Sequence, residues 1–201
     1  MSFYRFARAA CAVFLRLAFR FRTVGTENIP DSGGFILAAN HRSNWDPVFV
    51  GIPVKRHQVC YMAKAELFHK NVILTKLITA LGAFPIERGK GDTGAIDWAD
   101  RVLNEGGVLG MFPEGTRSKT GVPGRPKSGV AMIAQQTGAD VVPCAVCFGE
   151  RLGFRSPVTI RYGRPIKNSA FQFSGEVTPH ELKAASHLVM GKIVELMEDG
   201  V

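Results

Sequence analysis

Cysteine is scarce in this 201-residue sequence: Cys11, Cys60, Cys144 and Cys147 are all it has. Four are too few for a disulfide scaffold, and a chain of this length hides roughly 70% of its unfolded surface, enough for a core without staples. Cys144 and Cys147 form a single C-x-x-C. It lacks the second pair, or the His pair, that a zinc site of that kind uses. The pair falls in an apolar run at residues 141–148 that reads as a strand, where positions three apart point to opposite faces. Two small, reduced, buried side chains are the expectation. His57, His69, His180 and His187 have no partner at metal-ligand spacing, so no metal is expected. Low-complexity tracts and internal repeats are also missing, which excludes disordered and solenoid classes. No Gly-x-Ser-x-Gly occurs, which removes the familiar signature of a serine acyl-enzyme.

Long apolar runs are absent from the N-terminal segment. Within residues 3–22 the longest uncharged stretch is 9–15, far short of the ~20 residues a spanning helix needs. Arg16 interrupts the unbroken apolar stretch that a cleavable signal would require. Acids are missing too: none precedes Glu27, while Arg5, Arg8, Arg16, Arg20 and Arg22 all do. At 100° per residue these arginines share an arc of roughly 160°. Phe3, Phe6, Ala10, Val13, Phe14, Leu17 and Phe21 fill the opposite side. Such a helix suits a bilayer interface, with rings at the acyl boundary and guanidinium groups on phosphates. The alternative is an amphipathic helix packed on its own domain. Residues 1–23 are read as a membrane-associating amphipathic helix and residues 24–201 as the main domain.

Lys and Arg total 25 against 17 Asp and Glu, a net charge of +8. The surplus calls for an anionic partner: membrane headgroups, a phosphorylated substrate, an acidic carrier protein or nucleic acid. Nucleic acid is set aside, because no recognition motif or basic face interleaved with aromatics is present.

From Val24 onward short apolar runs alternate with segments of helical period. Strands are expected at residues 34–39, 59–62, 83–86, 108–112, 141–148 and 157–162. Helices are expected from Pro47, at 71–81, 96–103 and 128–136 (closed by Gly138), and from a Thr178-Pro179-x-Glu181 capping box onward. This alternation predicts an α/β fold with a mostly parallel central sheet flanked by helices. Ligands in such sheets bind where strand C-terminal ends meet loops and helix starts.

Three of those junctions carry chemistry. The first is Asn40-His41-Arg42-Ser43-Asn44-Trp45-Asp46-Pro47. Histidine takes a proton near neutral pH, and does so better when a carboxylate holds its other ring nitrogen. Asp46 lies close enough to do this across one turn, although Asp before Pro is also a good helix cap. The second is Gly82-Ala83-Phe84-Pro85-Ile86-Glu87-Arg88. The third is Phe112-Pro113-Glu114-Gly115-Thr116-Arg117-Ser118, followed by Lys127-Ser128-Gly129 at a helix start. Arginine binds phosphate bidentately, and a helix N-terminus offers free N–H groups to an anion.

Taken in series, Asn-His41 with Asp46, Phe-Pro-Ile-Glu-Arg88, Phe-Pro-Glu114-Gly115-Thr-Arg117-Ser, Lys127-x-Gly129 and Val142-Pro143 resemble the glycerolipid acyltransferase family. The likeness is to its compact bacterial 1-acylglycerol-3-phosphate members and runs from about residue 24 to 165. It implies direct attack of a lyso-lipid hydroxyl on an acyl thioester, without an acyl-enzyme. His41 would be the general base and Asp46 its orienting partner. Arg88, with Lys127 and Arg117, would hold the acceptor's phosphate, and Glu114 and Gly115 would belong to the acceptor site. Coenzyme A or acyl carrier protein would carry the acyl chain, no cofactor would be needed, and the protein would be a peripheral or monotopic protein on the cytoplasmic face of the cell membrane. Another lyso-lipid acceptor is an alternative. Two other classes compete: a dinucleotide-binding enzyme, from Gly89-Lys90-Gly91-Asp92-Thr93-Gly94, and a non-enzymatic membrane-binding module. In the first, Asp92 would set a carboxylate beside a pyrophosphate, which counts against it. Oligomeric state is not readable from the sequence.

Overall fold

The computed structural model describes residues 2–69, 71–86, 93–118 and 120–199. A seven-stranded sheet runs in the order β1-β7-β6-β2-β5-β3-β4. At its centre β2 (Phe35–Ala39) is buried at every position. It pairs in parallel with β5 (Val108–Met111) on one side and β6 (Val141–Phe148) on the other. Beyond β5 lie β3 (Val59–Lys64) and β4 (Ala83–Ile86), also parallel. On the far side β7 (Pro157–Tyr162) runs antiparallel to β6, and β1 (Arg20–Val24) pairs in parallel with β7. Five of the six pairings are parallel, as expected, and the one antiparallel pairing makes the sheet mixed. The reversal follows from chain length: residues 149–156 are too short a link to carry a crossover, and only an antiparallel neighbour can be reached that way.

The side-chain period of two divides the core. From β2, Ile36 and Ala38 join an apolar cluster with α4 (Thr93–Asn104), α5 (Gly129–Thr137) and α6 (Pro179–Glu198). Phe35, Leu37 and Ala39 face a second cluster with α1 (Ser2–Ala18) and α2 (Asp46–Gly51). A further helix, α3 (Val72–Ala80), packs beside β4. Cys144 is fully buried in the second cluster and Cys147 is half-buried; both are free thiols. The ends of the helices follow the sequence: Gly138 closes α5 at φ 69°, and Thr178 and Glu181 form the capping box of α6.

The helix expected over residues 3–22 stops at Ala18, where Phe19 N–H donates to Leu15 O. Residues 20–24 become the edge strand β1, with only its second residue half-buried. Arg-Phe-Arg-Thr-Val alternates as a strand does, and the same arginines and phenylalanines also satisfy a helical period. Helix α1 lies on the domain along a narrow side. Leu15 is buried, Val59 N–H donates to Tyr4 Oη at 3.2 Å, and Arg8 Nη1 donates to Ile52 O at 3.2 Å. Its other side leaves Phe3, Phe6, Val13, Phe14 and Leu17 exposed. Among the described residues no helix is long and apolar enough to cross a membrane.

Candidate active site

The C-terminal ends of β2, β5 and β6 meet at the loop that follows β2. Asn40, buried, is its anchor: its side-chain amide donates to Val146 O at 3.1 Å and accepts from Val146 N–H at 2.7 Å. The next residue, His41, places Nδ1 2.7 Å from Asp46 Oδ2. Asp46 is completely buried while the His41 side chain keeps 17% of its surface. With Nδ1 held by the carboxylate, Nε2 is the nitrogen left for proton transfer. The imidazole stacks on Phe112 with ring centroids 4.1 Å apart. Phe112 in turn stacks at 6.1 Å on Tyr61, whose hydroxyl donates to Pro47 O at 2.8 Å. Burial pushes the Tyr61 phenol well above its usual range, which keeps that donor protonated.

The Asp46 carboxylate does not cap α2: Trp45 occupies the cap position, with no side-chain bond there. Instead Oδ2 also accepts Arg42 N–H at 2.6 Å and Ser43 N–H at 2.7 Å. One oxygen thus folds the loop and holds the imidazole, and Oδ1 is buried without a partner among the described residues.

Glu114, also buried, joins the second motif to the first. Its Oε1 accepts His41 N–H at 2.8 Å and its Oε2 accepts Gly124 N–H at 2.8 Å. Ser118 N–H donates to His41 O at 2.7 Å, and Lys127 N–H to Pro113 O at 2.9 Å. These bonds bring residues 40–46, 112–118 and 124–127 into one unit. Gly115 has φ 69°, and a Cβ there would stand 3.0 Å from Lys127 Cδ. The Lys127 side chain therefore lies across Gly115 with its exposed ammonium beside the motif, whereas Arg117 points into solvent. Arg88 and the glycine run at 89–92 lie outside the described residues. The strand leading to Arg88, β4, is the outermost beyond β3.

Three contributors were not singled out by sequence reasoning: the Asn40 anchor, the Phe112 stack, and Arg42. Arg42 donates to Phe148 O at 2.7 Å and Gly149 O at 3.2 Å, with its guanidinium 4.1 Å from the Phe148 ring centre. Each flanks a motif residue that was singled out, and adjacency was the only signal available. A separate basic cleft of about 380 Å³ opens between α1 and residues 52–57, lined by Arg8, Arg16, Lys55 and Arg56; none of the candidate residues borders it.

A family model described as "Acyltransferase" matches residues 20–147, well over half of the chain, and spans all the candidate residues. The chain belongs to the Acyltransferase family. A 1-acyl-sn-glycerol-3-phosphate acyltransferase of Bacillus subtilis (strain 168) is 32% identical over 171 residues, covering 84% of each chain. Another from Streptococcus pneumoniae is 36% identical over 146 residues, covering 70% of this chain and 53% of its own. The crystal structure of the 1-acyl-sn-glycerophosphate (LPA) acyltransferase PlsC from Thermotoga maritima superposes with a TM-score of 0.67 at 27% identity. That match covers 90% of this acyltransferase and 73% of the Thermotoga chain. The family match begins at Arg20, so α1 lies outside it.

Proposed function

We propose that this acyltransferase moves an acyl chain from a thioester to the sn-2 hydroxyl of 1-acylglycerol-3-phosphate, giving phosphatidate, with His41 as general base. The contact between His41 Nδ1 and the buried Asp46 carboxylate carries the proposal. Nε2 takes the hydroxyl proton as the oxygen attacks the thioester carbonyl carbon. Asp46 fixes the tautomer and stabilises the imidazolium that forms. Collapse of the tetrahedral intermediate breaks the C–S bond, and the leaving thiolate takes up the proton from His41 Nε2, which restores the neutral imidazole. Much of the acceleration comes from holding hydroxyl, imidazole and thioester in line. Arg88 and Lys127, with Arg117, hold the acceptor's phosphate. Glu114 and Gly115 shape that site, the first through the His41 amide it binds and the second by leaving room for the Lys127 stem. The donor is the thioester of coenzyme A or of acyl carrier protein, either of which suits a chain of net charge +8. Helix α1 rests on the membrane through its exposed phenylalanines.

The test is release of free thiol from acyl-coenzyme A by purified protein in detergent, with and without lysophosphatidate. Release that depends on the acceptor and disappears in His41→Ala supports the reading. A silent wild type is retested with acyl-acyl carrier protein, and silence with both donors refutes it. Full activity in His41→Ala refutes the role of the base.

A further inference from the structure

The link between β6 and β7, residues 149–156, ends in a tight turn. Ser156 N–H donates to Gly153 O at 3.1 Å, and Gly153 N–H donates to Ser156 Oγ at 2.9 Å. The two tip residues are Phe154 and Arg155. Arg155 has φ 61°, the left-handed conformation that this turn position ordinarily gives to glycine. Phe154 is 84% exposed, more than any other large apolar side chain among the described residues.

Both features are costly in water, and the turn is nevertheless firmly held. Leu152 packs against the second apolar cluster. Arg155 N–H donates to Ala18 O at 2.6 Å, Arg20 N–H to Ser156 O at 3.0 Å, and Arg20 Nε to Arg155 O at 3.1 Å. The surrounding structure thus holds a disfavoured backbone beside an exposed phenylalanine, a pattern that goes with function. The attachment point is the end of α1, next to Leu17, itself 67% exposed. Arg151 and Arg155 belong to this loop and Arg20 is bonded to it, and none of the three forms an ion pair among the described residues; Glu150 is the loop's one acid. An exposed apolar ring on a basic loop complements a surface of anionic headgroups over an acyl layer.

We propose that the Phe154–Arg155 turn is a second membrane contact, inserting Phe154 at the headgroup–acyl boundary of an anionic bilayer beside α1. The proposal rests on reading α1 as the first contact. Two contacts fix an orientation where one helix leaves rotation free. The turn's loop is also tied to the catalytic loop, because Arg42 donates to Phe148 O and Gly149 O and precedes Ser43 in the stretch that folds around Asp46.

The experiment is co-sedimentation with vesicles of phosphatidylcholine and phosphatidylglycerol, and with phosphatidylcholine alone. It compares wild type, Phe154→Ala, Arg155→Gly and the double variant Phe6→Ser/Leu17→Ser, each checked by thermal melting. Phe154→Ala is expected to lower partitioning about tenfold on both kinds of vesicle, with an unchanged melting temperature. Arg155→Gly, which relieves the φ 61° strain, is expected to lower it about fivefold on anionic vesicles only. Wild-type partitioning by Phe154→Ala, with loss in the double variant, overturns the proposal and leaves the α1 reading standing. Unchanged partitioning in all variants overturns both. Concentration-dependent self-association that Phe154→Ala abolishes, without any effect on vesicles, makes the turn a contact between copies and also overturns it.

Discussion

Asp46→Asn separates the two jobs that one carboxylate performs. Oδ2 accepts three donors, from His41 Nδ1, Arg42 N and Ser43 N, at 2.6–2.7 Å, while Oδ1 is buried without a partner among the described residues. In the asparagine variant the new NH2 must take the Oδ1 position, since the other position would set it against three donors. The carbonyl oxygen then keeps all three bonds without its charge. Charge-assisted bonds are roughly twice as strong as neutral ones, so each weakens by about 1 kcal/mol. The two backbone bonds together predict a loss of about 2 kcal/mol in stability, or roughly 4–8 °C in Tm for a chain of this size. Catalysis loses more, because the imidazolium formed on proton transfer no longer faces an anion. A loss of about 2–3 kcal/mol from that interaction lowers kcat roughly 30- to 150-fold with KM little changed. The assay is acceptor-dependent thiol release at saturating donor, beside a thermal melt of the same sample. If kcat stays within about twofold of wild type while Tm falls as expected, Asp46 is a loop clamp only and the dyad is refuted. Activity lost in parallel with gross unfolding would be recognised in the melt.

Two further perturbations test the supports around that loop. Glu114→Gln leaves one acceptor oxygen for the two amides now bound, His41 N–H and Gly124 N–H. One of them then faces an NH2 group, so a cost of about 1–3 kcal/mol, a Tm lower by roughly 5 °C and a reduced kcat are expected; calorimetry showing wild-type Tm would refute the clamp. Glu181 is held by hydrogen bonds from Thr178 and then Ser174, which push its pKa down from 4.5 to about 2. Its ionised form is favoured in the folded state, so this contribution is fully present above pH 4.5 and fades as pH falls toward 2. Glu181→Gln is therefore less stable than wild type at neutral pH, and denaturation midpoints of the two should converge near pH 2. A constant difference across that range would refute the linkage.

The candidate histidine–aspartate pair was legible because its geometry is local. Histidine and aspartate five positions apart in a strand-to-helix loop meet across one turn, and they do at 2.7 Å. The competing reading of Asp46 as a helix cap was local too. It failed because Trp45 takes the cap position and the carboxylate turns back to the amides of Arg42 and Ser43. Glu114 was visible as an acid in a motif but not as a clamp, since the amides it accepts lie 73 positions back and 10 forward. No window on the sequence contains both. Sheet direction was equally hidden: alternation identifies β6 and β7 as strands but is the same for either orientation. Only the shortness of residues 149–156 carries that information.

Helix α1 shows a further limit of periodicity. An amphipathic pattern identifies two faces and is silent about which one turns inward. The ordinary rule for a globular protein puts the apolar face against the core. Here the buried residue is Leu15, which lies on the arginine side of the wheel close to Arg8, and Arg8 itself donates to Ile52 O. On the wider apolar face Phe6 and Leu17 are left 72% and 67% exposed, and Phe14 meets the domain, stacked on Trp45 at 5.5 Å. Rolling the helix over would bury those rings, at roughly 25 cal/mol for each Å² taken from water. It would also break the bonds made by Tyr4 and Arg8. Leaving those rings in water, with Phe154 beside the same helix end, forgoes that burial, and the proposed bilayer contact is what would recover it.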